Sequence, residues 1–215
     1  MSETPELLAK SELDIIREEE GCLRERFGKD AVLIDFEEEY ISVPFVNQYI
    51  VPEMQGYAAD MIAYYVKSKG EEMDINRVVG IPNSGNYLAT AVAERLNITL
   101  ALSKKGEDLP GHWKEPLFIS KEIPSFTTEK GSSFLFNGIK RGDRLLIVDD
   151  FLAFGNTGAA IIEELQKMGI DVKLLVEFVV KESQKGREKI KDKTGVDVYG
   201  ALCTKRGLDL APPQF

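Results

Sequence analysis

Short apolar runs alternate along this chain with stretches of helical spacing, and the alternation outlines an α/β protein. Residues 5–28 set Leu7, Leu8, Ile15, Ile16, Cys22 and Leu23 near helical spacing among charges, which predicts an amphipathic surface helix. Residues 31–36 (AVLIDF) read as a short strand. Pro44 and Pro52 then bracket a segment too bounded by prolines for a central strand, and a helix is predicted from Pro52 to about Lys69, ending at Gly70. From there strands and helices alternate. Strands are predicted at 77–81, 98–102, 145–149, 172–180 and 198–202, with helices near 86–96 and up to Met168. Apolar strands interleaved with helices predict a parallel sheet covered on both faces.

Between Gly106 and Gly138 this pattern lapses into a polar stretch holding Gly111, Pro116, Pro124 and Gly131. A gap of that length inside a compact domain predicts a lid or a hairpin arm. His112 and Trp113 lie on it, with nothing nearby in sequence to orient the imidazole for catalysis.

The 215 residues, 43% hydrophobic and 29% charged, fit one globular domain spanning 1–215. Two distant cysteines and one histidine exclude a disulfide scaffold and a His-rich or zinc site. No apolar run is long enough for a membrane helix, and the N-terminus has no signal-peptide grammar, so a cytoplasmic protein is expected. The net charge of −9 is concentrated at one end. Residues 1–40 hold thirteen acids against five bases, whereas the remainder is nearly balanced at 23 acids and 22 bases. Without a basic excess, a nucleic-acid partner is not expected.

The strand ends carry the candidate chemistry, since open parallel sheets bind ligands beyond their carboxyl ends. In LLIVDDFLAFGNTG (145–158) an apolar strand delivers Asp149 and Asp150, and a small-residue turn then opens a helix. The unpaired N–H groups and positive dipole of that first turn suit a phosphate monoester. Gly155 admits close backbone approach and Thr157 adds a hydroxyl. The two carboxylates suit ribose hydroxyls or a hydrated Mg²⁺. No lysine follows the glycines, which excludes a Walker loop.

This run resembles the phosphoribosyl pyrophosphate (PRPP) signature of the type I phosphoribosyltransferases. The resemblance extends to their xanthine and adenine branch through FVNQ (45–48) before Pro52, PSFT (124–127), and VKES (180–183) running on to Gly186-Arg187. It implies a parallel sheet flanked by helices, with an acidic N-terminal helix (1–30), a small hood built from 31–52 and the C-terminal part, and a flexible arm (106–138). It implies that Ala153, Phe154, Gly155, Asn156 and Thr157 hold the 5′-phosphate of PRPP, while Asp149 and Asp150 act at its ribose and possess the oxygens to hold Mg²⁺. Asn83, Ser84 and Gly85 match the pyrophosphate loop, which in the family often holds a strained peptide, and Ser103, Lys104 and Lys105 match a lysine-bearing segment that reaches pyrophosphate. Tyr40, Asn47 and Lys181 would line the base pocket. Lys181, an ammonium donor, leans the choice toward a 6-oxopurine; xanthine is favoured, then adenine, guanine or hypoxanthine. The implied reaction joins a free purine base to PRPP with Mg²⁺, giving a nucleoside 5′-monophosphate and pyrophosphate in purine salvage. A homodimer is also implied.

Two positions depart from the pattern. Phe154 stands where the signature commonly has Thr or Ser, and Pro82-Asn83 stands where relatives often carry an acid. Two other readings compete with the enzyme: a PRPP-sensing regulator without turnover, and an orotate phosphoribosyltransferase. The acidic segment before the first strand speaks against DNA binding, and the residues around Asn47 speak against orotate.

Overall fold

The computed structural model describes residues 10–35, 37, 40–105, 117–125 and 128–213; of 117–125 and 128–132 only the backbone is described. Helix α1 (Glu12–Asp30) starts where Ser11 and Asp14 form a reciprocal capping box. Its buried positions are Ile16, Glu20, Leu23 and Phe27. The apolar stripe is therefore rotated from the predicted one: Ile15 and Cys22 are exposed, and Leu7 and Leu8 lie outside the described residues. A small antiparallel sheet follows, β1 (Val32–Asp35) with β2 (Tyr40–Ser42), and then α2 (Pro44–Asn47). The proline-bracketed segment thus begins as a short helix, because Pro44 suits its first turn and has no N–H to lose there. Pro52 opens α3 (Pro52–Ser68) in the same way.

The main sheet collects β3 (Arg77–Gly80), β4 (Leu100–Lys105), β5 (Leu117–Ser125), β6 (Thr128–Asn137), β7 (Arg144–Leu152), β8 (Asp171–Lys181), β9 (Asp197–Arg206) and β10 (Asp209–Leu210). Their spatial order is β10-β9-β8-β7-β3-β4-β6-β5. The five strands from β9 to β4 run parallel, as the pattern predicts, and antiparallel strands flank them on both sides. The lapse in the pattern is in part a hairpin: β5 and β6 pair antiparallel and extend the sheet from β4. His112 and Trp113 lie outside the described residues.

Helices α4 (Gly85–Leu96), α5 (Asn156–Lys167) and α6 (Gly186–Thr194) complete the layers. One core unites Leu23, Phe27, Ile62, Leu88 and Val92 of α1, α3 and α4 with Val78, Leu146 and Val176 of the sheet. The other unites Ile161, Ile162, Leu165 and Ile190 of α5 and α6 with Val79, Ile147 and Leu175. The alternation of β7 explains why its residues read as a continuous apolar run: odd and even positions face different helical layers. The hood is fastened to the sheet by Phe45, whose ring meets Phe178 edge-on at 6.0 Å. Among the described residues, no helix is long and apolar enough to cross a membrane.

Candidate active site

The carboxyl ends of β3, β7 and β8 open into a cleft of about 570 Å³, roofed by the hood and walled on the far side by β4 and β6. That volume suits a small organic substrate. Of the residues singled out from sequence, Tyr40, Asn47, Asn83, Ser84, Lys105, Asp149, Asp150, Lys181 and the whole of 153–157 line it.

Asp149 and Asp150 belong to the second half of β7 itself, rather than to a loop beyond it. Asp149 Oδ1 accepts the backbone N–H of Asp150 at 2.9 Å. Burial holds the Asp149 carboxyl well above the usual carboxylate range, and the neighbouring charges of Asp150 and Glu177 push the same way. After β7 the chain turns through Gly155, whose φ of 71° is the left-handed conformation that glycine adopts at no steric cost. The first intrahelical bond of α5 runs from the N–H of Ala159 to the Gly155 carbonyl, leaving the amides of the preceding turn for a ligand. Phe154, where a hydroxyl is common in the signature, lines the cleft and is exposed.

The loop after β3 meets this one from the side. The Pro82–Asn83 peptide is cis. Gly85 is buried and does not line the cleft; an added Cβ would lie 2.6 Å from the Val148 carbonyl oxygen and 2.9 Å from Asp149 Oδ1. Gly85 thus admits the start of α4 against the acidic strand end.

The lysine-bearing segment is divided by strand alternation. The predicted strand at 98–102 would leave 103–105 beyond its end; instead these residues lie within β4. Ser103 is buried, its Oγ donating to the Gly80 carbonyl and lying 2.9 Å from Asn86 Oδ1, so it ties β3 and α4 to β4 and does not reach the cleft. Lys104 is exposed and does not line the cleft; Lys105 does. A side-chain period of two separates neighbours that a loop would have kept together.

Lys181 ends β8 and is 5% exposed, so it is no surface-seeking lysine. Its ammonium lies 5.7 Å from the Tyr40 ring centroid and 5.9 Å from that of Phe151, distances at which a ring face attracts a cation. Hood and sheet therefore meet around this one charge.

Sequence reasoning missed Glu177 and Phe134, which also line the cleft, as do Gln48 and Gly158 of the quoted motifs. Glu177 pairs with Asp149 across β7 and β8 and is 1% exposed, with Oε2 lacking a hydrogen-bond partner. Burial raises its pKa well above the ordinary value, reinforced by Asp150 and opposed by Arg187. An acid inside the apolar run LLVEFVV was the available signal.

The model of the phosphoribosyl transferase domain matches residues 52–201. A hypoxanthine/guanine phosphoribosyltransferase of Methanothermococcus okinawensis is 33% identical over 159 residues, 73% of this chain and 75% of that protein. A xanthine phosphoribosyltransferase of Agathobacter rectalis is 29% identical over 163 residues, 75% of this chain and 81% of that one. Among solved structures, an adenine phosphoribosyltransferase of Rhodothermus marinus has a TM-score of 0.62 at 22% identity, covering 85% of this chain and 99% of its own. One from Trypanosoma brucei, in complex with AMP, pyrophosphate and ribose-5-phosphate, has a TM-score of 0.64 at 18% identity, covering 83% and 78%. These two share the fold. With its acidic strand end, its glycine turn and a family model spanning well over half its length, the chain belongs to the type I phosphoribosyltransferases.

Proposed function

We propose that this protein transfers the 5-phosphoribosyl group of PRPP to a free 6-oxopurine, giving the nucleoside 5′-monophosphate and pyrophosphate. The observation that carries the choice of base is Lys181, a buried ammonium at the hood side of the cleft, which donates to an exocyclic oxygen and has nothing to offer an amino group. Relatives named for hypoxanthine/guanine and for xanthine agree with an oxopurine. Asn47 and Tyr40 complete the base pocket, the carboxamide supplying both a donor and an acceptor to a purine edge.

The remaining roles follow from where charge sits on the substrate. The amides at the start of α5, with Thr157, hold the 5′-phosphate. Asp150, with Asp149 behind it, accepts from the ribose hydroxyls. Asn83, Ser84 and Lys105 receive the pyrophosphate, whose charge grows as its bond to C1 of the ribose breaks and the purine nitrogen attacks. Little covalent help is required, so the protein works by orientation and by excluding water, to which the hairpin rooted at Phe134 contributes. The carboxylate oxygens of Asp149 and Asp150 are of the hard type that Mg²⁺ takes, one or two alongside phosphate oxygens and water. Bound with PRPP, Mg²⁺ would offset the charge of the leaving group. Leu102 and Lys104, exposed on the outer side of β4, are the surface we assign to a homodimer contact.

Pyrophosphate release with PRPP, Mg²⁺ and each of xanthine, guanine, hypoxanthine, adenine and orotate tests this reading. Turnover is expected with an oxopurine, and Lys181→Met should raise the KM for that base about tenfold, the loss of one hydrogen bond to a charged group. Turnover with adenine alone, or PRPP binding with silence across the panel, would overturn it.

A further inference from the structure

The phosphate loop 153–157 (AFGNT) contains no basic residue, although its assigned ligand is a phosphate monoester carrying close to two negative charges. The tertiary structure brings one from elsewhere. Helix α6 starts against the loop: a Cβ built on Gly186 would lie 2.1 Å from the Ala153 carbonyl oxygen, and one on Gly155 would lie 2.7 Å from the Gly186 carbonyl oxygen. The N-termini of α5 and α6 therefore share one backbone contact, and two positive helix ends face the same loop. One turn into α6, the Lys189 ammonium donates to Asn156 Oδ1 at the first position of α5. Asn156 lines the cleft, and Lys189, which is half-buried, stands directly behind it.

We infer that Lys189 is a further positioning residue of the 5′-phosphate site: it orients the Asn156 carboxamide and places beside the loop the positive charge that the loop lacks. The inference rests on assigning residues 153–157 to the 5′-phosphate. It also assigns α6 a function separate from the base-reading segment that precedes it. A bidentate guanidinium is not needed for this, because an ammonium acting behind a carboxamide works as a point charge.

The test compares the parent protein with Lys189→Met, Lys189→Arg and Thr157→Ala, measuring KM for PRPP, kcat, and inhibition by ribose 5-phosphate and by pyrophosphate. Lys189→Met should raise the PRPP KM and the ribose 5-phosphate inhibition constant about fivefold, as expected for a partly exposed charge. It should leave kcat and inhibition by pyrophosphate near parent values. Lys189→Arg should restore most of the loss, and the difference should narrow as salt is raised. Unchanged ribose 5-phosphate inhibition in Lys189→Met, with a clear loss in Thr157→Ala, refutes the role of Lys189 alone. No loss in either variant refutes the phosphate assignment of the loop. A loss that is indifferent to salt and not rescued by arginine refutes the charge contribution.

Discussion

Gly186→Ala probes the contact on which the loop 153–157 rests. The added Cβ would lie 2.1 Å from the Ala153 carbonyl oxygen, 2.9 Å from the Gly155 amide nitrogen and 3.0 Å from Leu152 Cγ. Carbon and oxygen rest at ~3.3 Å or more even in close C–H···O contacts, so about 1 Å of movement must be found. The first two obstacles are backbone atoms of the loop itself, so no side-chain rotation relieves them. Overpacking of this kind costs ~1–3 kcal/mol, which for a chain of this size lowers Tm by roughly 2–4 °C per kcal/mol. A misplacement of ~1 Å beside the chemistry can cost on the order of 100-fold in rate, and that is the expected loss in kcat/KM for PRPP. Initial rates at varied PRPP and a thermal melt measure both. Gly21→Ala is the control: it sits exposed in α1 with no atom within 4 Å of the new Cβ, so it should be neutral or slightly stabilising. If Gly186→Ala keeps the parent kcat/KM and Tm, the close approach of α6 to the loop does not hold the site.

Two further outcomes are expected away from the cleft. Burial and the Asp60 charge push the Glu19 carboxyl from 4.5 up to about 7, with Arg95 opposing. Across that interval the folded state keeps a proton the unfolded chain has released, so stability falls as pH rises from 4.5 to 7. Glu19→Gln should remove that part of the decline, its Tm gaining on the parent between pH 5 and 8; parallel Tm profiles would count against it. Cys22 is exposed, whereas burial pushes the Cys203 thiol up to about 12. One equivalent of an aromatic disulfide reagent should react quickly with the native protein and none with Cys22→Ser; rapid labelling of two thiols would contradict this.

Much of this protein was legible without coordinates. Short, nearly continuous apolar runs set between amphipathic segments marked the parallel strands, because strands buried on both faces must be apolar throughout and their crossover helices amphipathic. The acidic pair and glycine turn at 149–157 announced themselves because the phosphate site proposed there, at a strand-to-helix turn, is built from consecutive residues. Lys181 was legible as a strand-end cation, though only the hood folding back over β8 buries it between Tyr40 and Phe151.

Other features depend on separation in sequence and proximity in space. Whether Lys104 or Lys105 faces the cleft depends on the register of β4, and a one-residue difference exchanges the faces. Ser103 entered only as part of the segment that resembles the family's lysine-bearing one; the packing of β3, β4 and α4 places its hydroxyl against the Gly80 carbonyl and Asn86. Glu177 acquires its meaning from lying opposite Asp149 on the neighbouring strand, 28 positions along the chain. The support that α6 gives the loop 153–157 likewise joins Gly155 to Gly186 and Asn156 to Lys189. Local chemistry is written in consecutive residues and is read from them directly; a contact between distant elements exists only after the sheet has chosen its strand order and register.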